Sequence, residues 1–203
     1  MENTKKEKRR SKKVNLNLGC GNHILESNKD EEWINVDNYL IFSGEENKKF
    51  VQADIRTLPF EKESADYILC DNVLEHIAMS DIPIVLQEMR RVLKVGGRAV
   101  IIVPDFRDAL EQWSKMNHDE SFNPFFYQYL SEVIYGLQTH QGEYHRTPFC
   151  PGFMNYSLQM VGLRKYRLVM HPAFSEYPNY PGVFMRPEAK CRSAVLVADI
   201  IKE

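Results

Sequence analysis

Val14, Leu16 and Leu18 alternate with polar residues, and this period of two predicts a strand that ends at Gly19. Further strand-like runs follow at 33–36, 50–53, 65–70 and 98–103. Between the last two, Ile82, Val85, Leu86, Met89, Val92 and Leu93 recur at helical spacing. Asp81 is the expected N-cap of that helix, Pro83 falls in its first turn, and Gly96-Gly97 is the expected stop. Beyond Phe106 the pattern predicts helices near 108–116, 124–135 and 155–161 and a closing strand pair at 165–170 and 194–200. The connection holding Pro172, Pro178, Pro181 and Pro187 is too proline-rich for regular structure. Alternating strands and helices indicate an α/β domain with a mainly parallel sheet.

Composition narrows the class without changing it. The 203 residues, 43% of them hydrophobic, are enough for one well-buried domain, expected over 14–203 with a lid or substrate region at about 106–160 and a proline-rich insertion at about 171–190. No apolar run reaches the roughly 18 residues that span a bilayer, and no signal-peptide core follows the basic start, so a cytoplasmic location without a membrane partner is expected. Cys20, Cys70, Cys150 and Cys191 lack metal-finger spacing and read as reduced thiols. The net charge of −2 argues against a surface built for nucleic acid. Residues 1–13 are nonetheless rich in Lys and Arg, a solvated tail or a phosphate-binding arm.

The candidate chemistry begins where the first strand ends. Gly19 and Gly21 flank Cys20 in a turn whose backbone N–H groups can approach a ligand, and Asp37 closes the next strand, where a carboxylate can accept from a ribose diol. A nicotinamide dehydrogenase is disfavoured, because position 24 is Ile rather than the third glycine of its fingerprint.

The succession Asn17-Leu18-Gly19-Cys20-Gly21, Trp33-Ile34-Asn35-Val36-Asp37, Ala53-Asp54-Ile55, Asp71-Asn72-Val73-Leu74-Glu75-His76-Ile77 and Leu93-Lys94-Val95-Gly96-Gly97 resembles the class I S-adenosylmethionine-dependent methyltransferases of the type-11-like branch. The resemblance covers about 14–105. It implies a Rossmann-like sheet of seven strands, mostly parallel with the last antiparallel, helices on both faces, and S-adenosyl-L-methionine across the C-terminal strand ends. It further implies that Gly19 and Gly21 lie against the methionine part, Asp37 holds the ribose, Asp54 and Ile55 face the adenine, and Asn72 sits near the methionine moiety. Leu18, Cys20, Asn38 and Val73 complete the implied cofactor set, and 74–77 opens beside the sulfonium. His23 stands where many members have a third glycine, and 22–32 leaves little room for a long first helix.

A sulfonium methyl is already activated, so transfer asks mainly for orientation and, for some acceptors, a base, and calls for no metal. His76 is the first candidate base, with local packing as its alternative role. Asp105 either points at the ligand edge or caps the next helix. His140 and His145 lie in a glycine- and aromatic-containing loop suited to a lid, where no metal site is expected from their spacing. The aromatics Phe122, Phe125, Phe126, Tyr127, Tyr129 and Tyr135 suit core or lid packing. The expected activity is O- or N-methylation of a small-molecule or saccharide-like acceptor, with RNA methylation or a non-catalytic cofactor-binding scaffold as alternatives.

Overall fold

The computed structural model describes residues 11–39, 48–115, 124–139, 141–170 and 195–203. Its strands are β1 (Lys13–Leu18), β2 (Glu31–Asp37), β3 (Lys49–Gln52), β4 (Ala65–Asp71), β5 (Leu93–Pro104), β6 (Lys165–Met170) and β7 (Val195–Ile201). They form one seven-stranded sheet in the order β3-β2-β1-β4-β5-β7-β6. β1 to β5 pair in parallel, and β7 runs antiparallel between β5 and β6. The fold class expected from the sequence is therefore the one observed, and the order reverses direction at β1 and β4, the switch point at which open α/β sheets bind ligands.

Period-two alternation sends each strand's apolar residues to both faces. Ala99, Ile101 and Val103 of β5 join Leu16, Leu18, Ile68, Cys70 and Ala198 in the main core, while Val100 and Ile102 join Trp33, Leu69 and Val197 in a second cluster. The main core is covered by α1 (Ile82–Val92) and α4 (Pro151–Met160), which supply Ile82, Val85, Leu86, Met89, Val92, Met154 and Leu158. Each such buried side chain contributes roughly 1.5–3 kcal/mol of transfer free energy. Among the described residues the second cluster takes Leu25 from the β1–β2 connection and no helix residue. That connection contains no described helix, in keeping with its short length.

Four local expectations need correction. Leu93 continues the helical spacing of α1, but its backbone is extended and it pairs with Ala65, so β5 starts there and Gly96 and Gly97 lie inside a strand rather than at a helix stop. Asp81 occupies the N-cap position without capping, because its carboxylate accepts from Arg56 at 2.9 Å. The region expected as a lid is divided: α2 (Phe106–Ser114) and α3 (Pro124–Tyr135) pack together through Ala109, Tyr129 and Leu130, whereas α4 belongs to the main core. β1 also begins at Lys13, inside the expected tail. The proline-rich 171–190 stretch, most of the basic tail, Phe122, His140 and Cys191 lie outside the described residues. No helix among the described residues is long and apolar enough to cross a membrane.

Candidate functional site

At the C-terminal ends of β1, β2 and β4 the backbone turns away from the sheet and leaves a cleft of about 390 Å³. Gly19, Gly21, Asp37, Asn38, Asp54, Ile55, Asn72, Val73 and His76 all line it, together with Tyr39, Arg56, Ile77 and, from the 3-10 turn Gln141–Glu143, Gly142 and Glu143. The turn after β1 depends on Gly19, whose φ is +64° and whose hydrogen faces the isopropyl group of Val73. The Asp37 carboxylate ties this turn to β2: one oxygen accepts from Gly21 N–H and the other from Tyr39 N–H, both at 3.0 Å. Two acceptors already engaged leave further lone pairs on the same carboxylate.

Two buried asparagines brace the connection that follows. Asn17 and Asn35 face each other in the β1–β2 register, and Asn17 Nδ2 donates to Asn35 Oδ1 at 2.9 Å and to the His23 carbonyl at 2.7 Å. Asn35 accepts from Leu25 N–H at 2.8 Å and donates to the Leu25 carbonyl at 2.9 Å. The amide network thereby fixes a connection that lacks the hydrogen-bond ladder of a helix. The paired asparagines were visible in the sequence only as two polar residues in apolar runs.

Not every expected residue reaches the cleft. Leu18 and Cys20 turn into the interior, because strand alternation directs Leu18 to the main core and the Cys20 N–H bonds back to the Val36 carbonyl at 3.1 Å. Asp105 is buried as the N-cap of α2, accepting from Asp108 N–H at 3.2 Å, and does not line the cleft. His145 is absent from the lining as well but packs edge-on to His76, ring centroids 4.9 Å apart. Asp54 reaches the cleft with its carboxylate paired to Arg56, a hydrogen bond that holds its pKa below the usual carboxylate value.

Residues 16–101 match the type-11 methyltransferase family profile, described as a methyltransferase domain. Over this stretch the chain is similar to the class I methyltransferase domains of the type-11 branch. Over 100 residues it is 32% identical to the ubiquinone/menaquinone biosynthesis C-methyltransferase of Xanthomonas oryzae pv. oryzae, covering 42% of this chain and 37% of that protein. The chain spans less than half the length of the curated relatives it matches. A putative S-adenosylmethionine-dependent methyltransferase from Listeria monocytogenes shares the fold with a TM-score of 0.61 at 14% identity, covering 95% of this chain and 92% of that one. The Burkholderia thailandensis 1,6-didemethyltoxoflavin-N1-methyltransferase, solved with its acceptor and S-adenosylhomocysteine, superposes with a TM-score of 0.56 at 15% identity over 94% of this chain and 71% of that one.

The turn after β4 holds features that the sequence did not signal. Asn72 has φ of +51°, a left-handed conformation that asparagine tolerates better than most residues. Its side chain donates to Asp71 at 2.9 Å, and burial pushes the Asp71 carboxyl up to about 7. Leu74–His76 forms a single 3-10 turn that buries Glu75. A strap at 144–147 is clipped to this turn, with Arg146 and Thr147 N–H donating to the Glu75 carbonyl at 2.6 and 3.0 Å and Thr147 Oγ1 donating to the Ile77 carbonyl at 2.7 Å. Glu75 is buried by a segment some seventy positions away, which leaves no local periodicity to read.

Proposed function

We propose that this chain transfers the methyl group of S-adenosylmethionine to an oxygen or nitrogen atom of a small-molecule or saccharide-like acceptor. The observation that carries the reading is the bond from Gly21 N–H to Asp37, which puts a ribose-type acceptor and a glycine turn on the wall of one cleft. Asp37 retains lone pairs for a ribose diol, and Gly19 and Gly21 present backbone without Cβ atoms to the methionine part. Ile55 supplies an apolar wall for the adenine beside the Asp54–Arg56 pair. Asn72 and Val73 flank the methionine side, and His76 with Gly142 and Glu143 forms the acceptor end.

S-adenosylmethionine supplies an activated methyl carbon: the acceptor's lone pair displaces the thioether sulfur in line, the C–S electron pair stays on sulfur, and the acceptor's proton is released. The domain's contribution is to hold the partners aligned and dry, which can be worth about 7–11 kcal/mol. The cleft volume falls within the range of small-ligand sites, in keeping with a small-molecule acceptor. Two relatives named for methylation in quinone biosynthesis and of didemethyltoxoflavin lend the same support.

Calorimetric titration with S-adenosylhomocysteine tests the first half of this reading; no binding at millimolar concentration would reject it. Methyl-labelled S-adenosylmethionine incubated with panels of small hydroxyl and amine acceptors and with RNA tests the second half. Transfer to RNA with none to any small acceptor would reject the substrate class.

A further inference from the structure

Beneath the acceptor end His76 belongs to a cluster with two residues, Glu75 and His145, that do not line the cleft. A carboxylate oxygen of Glu75 and a ring nitrogen each of His76 and His145 lie within 4.8 Å of one another. Glu75 is 2% exposed, and among the described residues neither of its carboxylate oxygens has a hydrogen-bond partner. A buried carboxylate without donors is costly unless a proton or a cation neutralises it.

The histidines favour a cation. A backbone carbonyl can only accept, so the contacts of His145 Nδ1 with the Val133 carbonyl at 2.9 Å and of His76 Nδ1 with the Tyr144 carbonyl at 3.3 Å put the proton on Nδ1 in both rings. Nε2 is then the basic nitrogen of each neutral imidazole. An outer N–H held by a carbonyl with the opposite nitrogen left basic is how metal-binding histidines are oriented. We propose that Glu75, His76 and His145 bind one divalent transition-metal ion at the edge of the cleft, and that its open positions take an acceptor oxygen.

Two imidazoles and one carboxylate suit zinc, manganese or cobalt better than magnesium or calcium, which prefer all-oxygen sets. Ligand atoms on a tetrahedral ion at about 2.1 Å sit roughly 3.4 Å apart, so these side chains close by about an ångström on binding. His76 both lines the cleft and belongs to the cluster, and it therefore carries the ion to the acceptor end. Three protein ligands leave coordination open to a hydroxyl or a pair of vicinal oxygens. Only this acceptor role rests on the methyl-transfer reading; ion binding stands without it.

The test uses the full chain, with Zn²⁺ by calorimetry and Co²⁺ by visible absorption. One equivalent is expected to bind, with affinity lowered at least about tenfold in Glu75→Gln and in His145→Asn, and with S-adenosylhomocysteine affinity unchanged in both. Circular dichroism melts check folding, and should one variant fail to fold the other decides. No ion bound at millimolar concentration, or variants that bind as tightly as the parent, would overturn the site. Catechol, a chelating vicinal diol, is expected to change the Co²⁺ spectrum; an unchanged spectrum would overturn the acceptor role. Metal binding without S-adenosylhomocysteine binding would uphold this site and reject the methyl-transfer reading.

Discussion

Replacing Gly19 with alanine tests how the turn after β1 is built. The new Cβ would lie 2.8 Å from Val73 Cγ1 and 3.1 Å from Val73 Cβ, with Cγ2 nearer still. Val73 cannot swing aside at little cost, because branching at Cβ stiffens its χ1. The clash is expected to cost about 1–3 kcal/mol. The φ of +64° adds about 1–2 kcal/mol for any residue with a side chain. Gly19→Ala should therefore lose about 2–5 kcal/mol in urea denaturation, or roughly 5–15 °C in Tm for a domain of this size. Val73→Ala alone should cost about 1 kcal/mol for its half-buried methyls. The double variant separates the two causes: it should recover the clash and leave the backbone part, giving a coupling energy of about 1–3 kcal/mol. Additive effects within about 0.5 kcal/mol would show that the turn yields without pressing on Val73, and the reasoning would fail.

Asp37→Ala removes the acceptor for Gly21 and Tyr39 as well as the proposed ribose contact. One lost charge-assisted bond of about 1.5–3 kcal/mol implies S-adenosylhomocysteine binding roughly 10- to 100-fold weaker by calorimetry; undiminished affinity would remove Asp37 from the ribose role. Glu88 accepts from Arg91 at 2.8 Å and from Leu58 N–H at 3.0 Å, and the Arg91 bond outweighs burial to hold its pKa below the ordinary 4.5. A depressed folded pKa gives stability that is present above 4.5 and lost as pH falls through the lower folded value, so the Tm advantage over Glu88→Gln should be full at about pH 7 and shrink toward about pH 3. A Tm gap that does not vary with pH would contradict this. Burial, aided by the Asp37 charge, pushes the Cys20 thiol up to about 12, and burial raises Cys70 also. Both should resist iodoacetamide in the native protein at about pH 8 and react in urea, read by mass spectrometry; rapid native labelling would contradict their burial.

What the sequence made legible follows from which forces are local. β6 and α3 have the boundaries expected of them, because alternation and helical spacing are properties of a few neighbouring residues. The glycine turn and Asp37 were readable for a similar reason, since each sits at the end of a strand whose pattern is clear. Leu93 was misread because pairing with Ala65 on another strand overrode a helical spacing that it satisfies. Asp81 was misread because a cation from a different loop competes for its carboxylate. Glu75 and His145 could not be joined from the sequence at all, since only the packed strap brings them together.

The hydrogen bonds that clip residues 146 and 147 to the Glu75 carbonyl make the strap, the proposed acceptor rim, and the turn at 74–77, its floor, a single mechanical piece. Evolution or an engineer seeking a new acceptor cannot treat the rim as an interchangeable cassette. A graft from a relative would shift the floor beneath it unless residues 74–77 travelled with the transplant, so acceptor preference in this lineage is expected to change in paired steps.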